Sequence, residues 1–295
     1  MRRFLCSLLV FACLAIVCCG PSNLQHLHSK RAKAVIVPIG GTVSQKWGSA
    51  LSVAFKDEKC KLVVAWIESG GGSVTEVRIL AHRINALRAA YPKPFWVYSQ
   101  RLLASGAYWI ACLADTIILA PSGRCGSIGV TYTRVDSTQA DSANGVKWNI
   151  FRSGELKSLG HPHLPMSDIE AHLIAYRLEL IYTSFVELIM QRRGDRLLWA
   201  YDSLRVMLPR GTTFKWFVDG LASGDVYNAD AAKMSGLIDK VLWLDGLLIH
   251  LNGQGYKVSD VRGLPVKALK AFQPVGVCDS LIHRGVPLEL KEITE

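Results

Sequence analysis

The chain has no Cys-x-x-Cys pair, no Gly-x-Gly-x-x-Gly fingerprint and no Gly-Lys-Ser/Thr ending to any glycine-rich loop. Those absences disfavour a zinc ribbon, a dinucleotide fold and a P-loop nucleotide site. Internal repeats and low-complexity tracts are also missing, which excludes solenoids and collagen-like chains. Histidine is scarce where it would matter for nucleophilic catalysis: after Ser105 the next histidine is His161. The basic residues, 34 Lys and Arg against 24 Asp and Glu for a net charge of +10, never form a long block. Their densest runs, "SKRAK" and "QRRGDR", carry no interleaved aromatics, so a nucleic-acid platform is not expected.

Much of what is present is apolar. Half of the 295 residues are hydrophobic, enough for a large buried core and too many for a disordered chain. One apolar run stands apart, from Phe4 to Cys19, led by Arg2 and Arg3 and broken at Gly20-Pro21. An arginine-led run of this kind predicts an export signal or membrane anchor over 1–20, cleaved, retained or lipidated on Cys13 or Cys19. It is slightly shorter than the roughly 17 to 25 residues of a typical membrane span. Residues 21–32 read as a polar linker. Cys6, Cys13, Cys18 and Cys19 fall in the leading segment; Cys60, Cys112, Cys125 and Cys278 are scattered and read as small buried hydrophobes, with no pairing assignable and no metal-ligand spacing.

From residue 33 short β-branched runs alternate with helical periods. "KAVIVPI" (33–39), "KLVVAWI" (61–67), "PFWVYS" (94–99), "TIILA" (116–120) and "KWNIF" (147–151) are expected strands. Between them, "VTEVRILAHRINALRAAY" sets Val74, Val77, Leu80, Ala81, Ile84 and Leu87 on one face of a helix, and Ser105 to Ala114 reads as another. This alternation predicts parallel pairing with right-handed crossovers. A long amphipathic helix is expected over 167–194, with Ser167 and Glu170 as a capping box and Gly194 as its stop. Its apolar Leu173, Ile174, Leu178, Leu180, Ile181, Phe185, Leu188 and Ile189 serve core packing or contact with a second copy. Residues 246–295 read as a C-terminal extension of unknown role, and 261–295 carries no readable motif.

Three short segments can carry chemistry. Glu68-Ser69-Gly70-Gly71-Gly72 leaves backbone N–H groups open at the end of a strand and before a helix N-terminus, a place for an anion or oxyanion. By itself such a run is more often only a turn. Ser105 sits in an Ala-Ser-Gly-Ala turn, where an isolated serine is more often a helix cap than a nucleophile. It is not the Gly-x-Ser-x-Gly elbow of the α/β-hydrolases. Lys157, in "FRSGELKSLGHPHLP", reads alone as an exposed lysine. A lysine can act as general base only when neutral, which means bringing its pKa from about 10.4 toward 7 at a cost of roughly 4 to 5 kcal/mol. His161 and His163 have no partner carboxylate or cysteine in sequence and read as surface residues.

Taken in order, the segments resemble the signal peptide peptidase A family, membrane-anchored serine-lysine proteases of the bacterial envelope, and in particular its short members with one repeat. Glu68 to Gly72 is similar to the family's Asn-Ser-Pro-Gly-Gly, and Leu103 to Tyr108 to its Ala-Ala-Ser-Gly-Gly-Tyr turn. Ala114-Asp115, Cys125 to Val130 and Ser153 to Lys157 follow the family's Ala-Asp, Thr-Gly-Ser-Ile-Gly-Val and Ser-Gly-x-x-Lys segments. "SGDVYNADAAKMSGLIDKV" looks like its Arg-Val-Tyr and Gly-Leu-Val-Asp segments. The resemblance covers about residues 33–245 and departs at Gly70, Leu103 and Ala107. It implies a crotonase- or Clp-protease-like α/β fold of repeated ββα units, with a mostly parallel sheet, a long helix and a C-terminal helical extension. It also implies an endopeptidase without cofactor or metal, in which Ser105 attacks a peptide carbonyl and Lys157 takes its proton. Ser127 would hold the lysine amine, and the Gly72 and Gly106 N–H groups would stabilise the oxyanion. Apolar peptides such as remnant signal peptides are the implied substrates, an inner-membrane anchor with the catalytic domain outside the cytoplasm the implied location, and a homo-oligomer the implied assembly. The rival readings are a membrane-anchored scaffold whose site has degenerated and an acyl-CoA-processing relative.

Overall fold

The computed structural model describes residues 32–260; the leading apolar run, Cys278 and the stretch after 260 lie outside the described residues. Strand β2 (Cys60–Glu68) is almost wholly buried and β1 (Ala32–Gly40) is buried from Ala34 to Val37 and at Ile39, as continuous β-branched runs must be at the centre of a parallel sheet. Beside them lie β3 (Phe95–Ser99) and β5 (Thr116–Leu119), and the edges are β8 (Lys240–Val241) and β9 (Tyr256–Asp260). The six-stranded order is β8-β5-β3-β2-β1-β9, with every neighbouring pair parallel. A smaller sheet joins β4 (Leu102–Ala104), β6 (Arg124–Gly126) and β7 (Val226–Asn228), and a bridge from Ser69 to Leu103 links it to the exit of β2. The chain is therefore α/β with a mostly parallel sheet, as its alternation of patterns predicts.

Successive residues of the central strands feed opposite faces. Val35, Val37, Val63, Ala65 and Ile67 join one core, under helices α1 (Gln45–Lys56), α2 (Val74–Ala90) and α3 (Gly106–Ala111). Ala34, Ile36, Leu62, Val64 and Trp66 join a second, smaller core under α8 (Leu244–Gly253). Each fully buried aliphatic side chain contributes roughly 1.5 to 3 kcal/mol relative to exposure, so register is strongly specified: a one-residue slip would exchange the two cores.

Between α3 and α8 come α4 (Thr138–Ala143), a 3-10 turn at Glu155–Ser158, α5 (Asp168–Leu204), α6 (Phe214–Leu221) and α7 (Ala229–Met234). The capping box at Ser167 and Glu170 forms as expected. Three expectations are corrected. Residues 147–151 are irregular and mostly exposed, and no strand among the described residues pairs with them; β-propensity by itself supplies no partner strand. Helix α5 runs through Gly194 to Leu204; a mid-helix glycine costs about 1 kcal/mol relative to alanine, and burial of Arg193, Leu197 and Ala200 on either side outweighs it. Residue 245 lies inside α8, and β9 after it pairs with β1, because the second face of the sheet needs a helix to cover it. The predicted helix from Ser105 to Ala114 is also shorter, Gly106–Ala111.

One buried ion pair ties α5 to the sheet. Arg193 donates from Nε and Nη2 to Gly236 O at 3.1 and 2.8 Å and from Nη1 to Asp239 at 2.8 Å. Asp239 also accepts from Ile117 N at 2.7 Å and pairs with Arg196 at 2.6 Å. Burial opposes ionisation of Asp239, but the Arg193 hydrogen bond and charge outweigh it and hold the carboxyl below its ordinary value.

Candidate active site

Ser105 occupies the N-cap position of α3 with φ 53°, ψ −127°, and its side chain makes no capping hydrogen bond. The reading of this serine as a mere helix cap is thereby removed. Positive φ is costly for a residue with a Cβ, of order 1 to 3 kcal/mol, and persists only where neighbours impose it. Here Ser105 N donates to Gly126 O at 2.8 Å and Ser105 O accepts from Trp109 N at 3.0 Å. The serine is thus pinned between β6 and α3, with its Oγ left for a cleft.

Facing it is the glycine run. A Cβ placed on Gly71, whose φ is 110°, would lie 2.8 Å from Ser105 Cβ, 3.1 Å from Ser105 Oγ and 2.9 Å from Gly106 N. No residue but glycine fits. A Cβ on Gly106 would meet Val77 Cγ2 at 2.4 Å and Gly72 N at 3.4 Å. The amides of Gly72 and Gly106 are therefore neighbours beside Ser105, and neither donates to an acceptor found among the described residues. Gly71, which the sequence singled out only as part of the run, is the residue of closest approach; the triple glycine was its signal. Ser69 steadies the segment, accepting from Gly71 N on Oγ at 3.1 Å, while Val43 N donates to Gly71 O at 2.9 Å.

Ser127 follows Gly126 at φ 50°, held by a 2.6 Å hydrogen bond from its N–H to Asp225 O. It lines the same cleft as Ser105, Gly72 and Gly106, a cavity of about 920 Å³. The far wall is α5, through Leu178, Ile181, Tyr182 and Phe185, with Trp109 packed against Phe185 in a tilted pair, ring centroids 4.8 Å apart. Arg78 and Glu179 are its charged residues. Of the helix positions expected to serve packing or assembly, Phe185 and Ile189 enter the core, Leu178 and Ile181 line the cleft, and Leu180 is exposed.

Lys157 is not brought to this site within one chain. It lies exposed on the 3-10 turn and does not line the cleft. The histidines nearby are a partial correction. His163 has a carboxylate partner after all, Nδ1 to Asp141 Oδ2 at 2.7 Å, and stacks on Trp148 at 4.1 Å, clasping the loop that bears Lys157. Neither His163 nor His161 lines the cleft. Among the described residues no three His, Cys, Asp or Glu side chains converge as a metal site would need.

The departures from the family pattern do not obstruct the cleft. Leu103 and Ala107 are fully buried in the core, and a Cβ on Gly70 would meet only Leu102 at 3.7 Å. Cys60, Cys112 and Cys125 are buried free thiols; burial pushes the Cys112 thiol up to about 12. Among the described residues no helix is long and apolar enough to cross a membrane.

Comparison with known proteins gives this geometry a context. Residues 88–197 match the model of peptidase family S49. A protein of Brucella melitensis named Na(+)/H(+) antiporter NhaA is 33% identical over 222 residues, 68% of this chain and 30% of that protein. Protease 4 of Salmonella typhi is 27% identical over 203 residues, 69% of this chain and 29% of that one. The solved structure of a mutant membrane-bound stomatin-specific protease with a substrate peptide aligns at TM-score 0.48 and 13% identity, covering 82% of this chain and 97% of that one. The chain spans under a third of the length of these two curated relatives.

Proposed function

Because this chain belongs to the signal peptide peptidase A-like peptidases of family S49, we propose that it hydrolyses peptide bonds with Ser105 as nucleophile and Lys157 of a second copy as base. The observation that carries the reading is Ser105 itself: a serine at φ 53°, with no capping bond, facing Gly71 across a gap that no side chain could occupy. A strained serine on a strand-to-helix turn beside paired amides is what acyl transfer needs. Ser105 Oγ adds to the peptide carbonyl carbon and loses its proton to the neutral Lys157 amine; the negative charge on the carbonyl oxygen falls to the N–H groups of Gly72 and Gly106. Lys157 then returns the proton to the departing amine; it next takes a proton from water as the water oxygen adds to the acyl carbon, and gives that proton to Ser105 Oγ as the ester C–O bond breaks and the acid leaves. Ser127, on the same cleft, orients the incoming amine.

An exposed Lys157 outside the cleft of its own chain supports assembly in trans. The apolar wall of α5 suits extended apolar substrates such as remnant signal peptides, and the arginine-led run before residue 20 suits attachment of the protein to the inner membrane of a bacterial envelope, with the catalytic domain outside the cytoplasm.

The test is complementation. Full-length Ser105→Ala and Lys157→Ala proteins, each silent on a fluorogenic leucine-rich peptide, are mixed under conditions that exchange subunits. Random pairing restores roughly a quarter of the sites if the dyad forms between copies. No recovery in a mixed oligomer overturns the shared site, and a folded wild type that cleaves nothing overturns the peptidase.

A further inference from the structure

Glu68 is a buried carboxylate, 1% exposed, at the last position of β2. Among the described residues no cation partners it. Instead Oε1 accepts from Trp66 Nε1 at 2.8 Å and Gln100 N at 2.6 Å, and Oε2 from Arg101 N at 2.9 Å and Leu102 N at 3.1 Å. Ser99 Oγ stands at 3.5 Å. Four N–H donors fill the acceptor capacity of a carboxylate, and a neutral amide in its place would turn an N–H toward one of them. Three consecutive backbone amides of the β3 to β4 turn thus converge on one side chain.

Both walls of the nucleophile site leave from this point. The backbone of Glu68 continues through Ser69 into Gly71 and Gly72; the turn it holds continues through Leu103 and Ala104 into Ser105. Between the walls, Ser69 N donates to Leu102 O at 2.8 Å and Ala104 N to Ser69 O at 3.0 Å. Farther on, the gap between Gly71 and Ser105 is narrower than a methyl group requires.

We infer that Glu68 is a positioning residue for Ser105: by locking the amides of residues 100–102 it sets the spacing between the serine Oγ and the oxyanion amides. The inference rests on Ser105 being the nucleophile. It touches no substrate, so its loss acts on turnover and not on substrate binding. A displacement approaching 1 Å at a reacting group costs up to about a hundredfold in rate.

The experiment compares the full-length wild type with Glu68→Gln, which keeps the volume and removes one acceptor, and with Ile84→Val, which loosens the core away from the cleft. Two readouts are taken: kcat and KM on the fluorogenic leucine-rich peptide, and amide hydrogen exchange of the peptides spanning 60–67, 69–73 and 99–106. The expected result for Glu68→Gln is a fall in kcat of about ten- to a hundredfold with KM within twofold. Faster exchange at 69–73 and 99–106 but not at 60–67 accompanies it. Ile84→Val leaves kcat within twofold. A Glu68→Gln enzyme with unchanged kcat, or one whose KM rises while kcat holds, overturns the inference. If the wild type cleaves nothing, the peptidase reading fails while exchange still decides this one: unchanged protection at 69–73, which the carboxylate does not touch, refutes positioning, and selective loss there upholds it.

Discussion

Replacing Arg193 with methionine tests what holds α5 over the cleft. The substitution keeps an unbranched apolar stem and removes three hydrogen bonds, two to Gly236 O and one to Asp239. Asp239 keeps Arg196, whose side chain is 45% exposed and so screened by water, and the N–H of Ile117. Removing one partner of a buried ion pair costs about 3 to 5 kcal/mol, chiefly because the remaining charge stays buried with less compensation. For an ordered region of this size each kcal/mol moves the melting temperature by roughly 2 to 4 °C, so a drop on the order of 10 °C is expected at pH 7. Calorimetry of the full chain measures it. A drop under about 2 °C would refute the reasoning, since a drop that small corresponds to an exposed pair. The pH dependence is a second constraint. Asp239 has a folded value below its ordinary 3.8, so its contribution is present above 3.8 and is lost as pH falls through the lower folded value. The difference between wild type and Asp239→Asn must therefore be flat near neutrality and close on strong acidification; a gap that widens as pH falls contradicts the assignment.

Gly71→Ala should abolish turnover in a protein that still folds: the new Cβ would sit 2.8 Å from Ser105 Cβ at a φ of 110°. That geometry costs about 1 to 3 kcal/mol of stability, and steady-state kinetics beside circular dichroism separates the two effects. Gly236→Ala reverses the pattern. Its Cβ would meet Arg196 O at 2.6 Å at φ 82°, so the melting temperature falls while kcat of the folded fraction stays within about twofold. Cys112 and Cys125 should resist a thiol reagent at pH 8 in the native protein and react on unfolding, because burial raises both thiols. Labelling of either at the rate of a free thiol would contradict their burial.

The central strands were legible because a fully buried strand needs an unbroken β-branched run, and "KAVIVPI" and "KLVVAWI" have no other use. Ser167 and Glu170 announced the start of α5 by a local rule that tertiary structure had no reason to override. Its end was not legible, since Gly194 is a stop signal only when nothing beyond it is worth burying, and Leu197 and Ala200 are buried. "KWNIF" did not form a strand because β-propensity is a weak signal that packing decides, and among the described residues this run is unpaired and mostly exposed. Residues 246–260 were given no role by the sequence but, with Leu244, help to complete the second core and the sheet, a service that shows only once the uncovered face is known.

At the site, the glycine run and the serine turn marked where acyl transfer could occur, and the resemblance to the signal peptide peptidase A family named Ser105, Ser127, Gly72 and Gly106. Which glycine lies against the serine, how the serine avoids serving as a cap, and the part played by Glu68 depended on two chain segments meeting across the sheet. Local chemistry is written along the chain. The distance between Lys157 and a serine is a property of packing, and within one chain packing leaves that lysine in water.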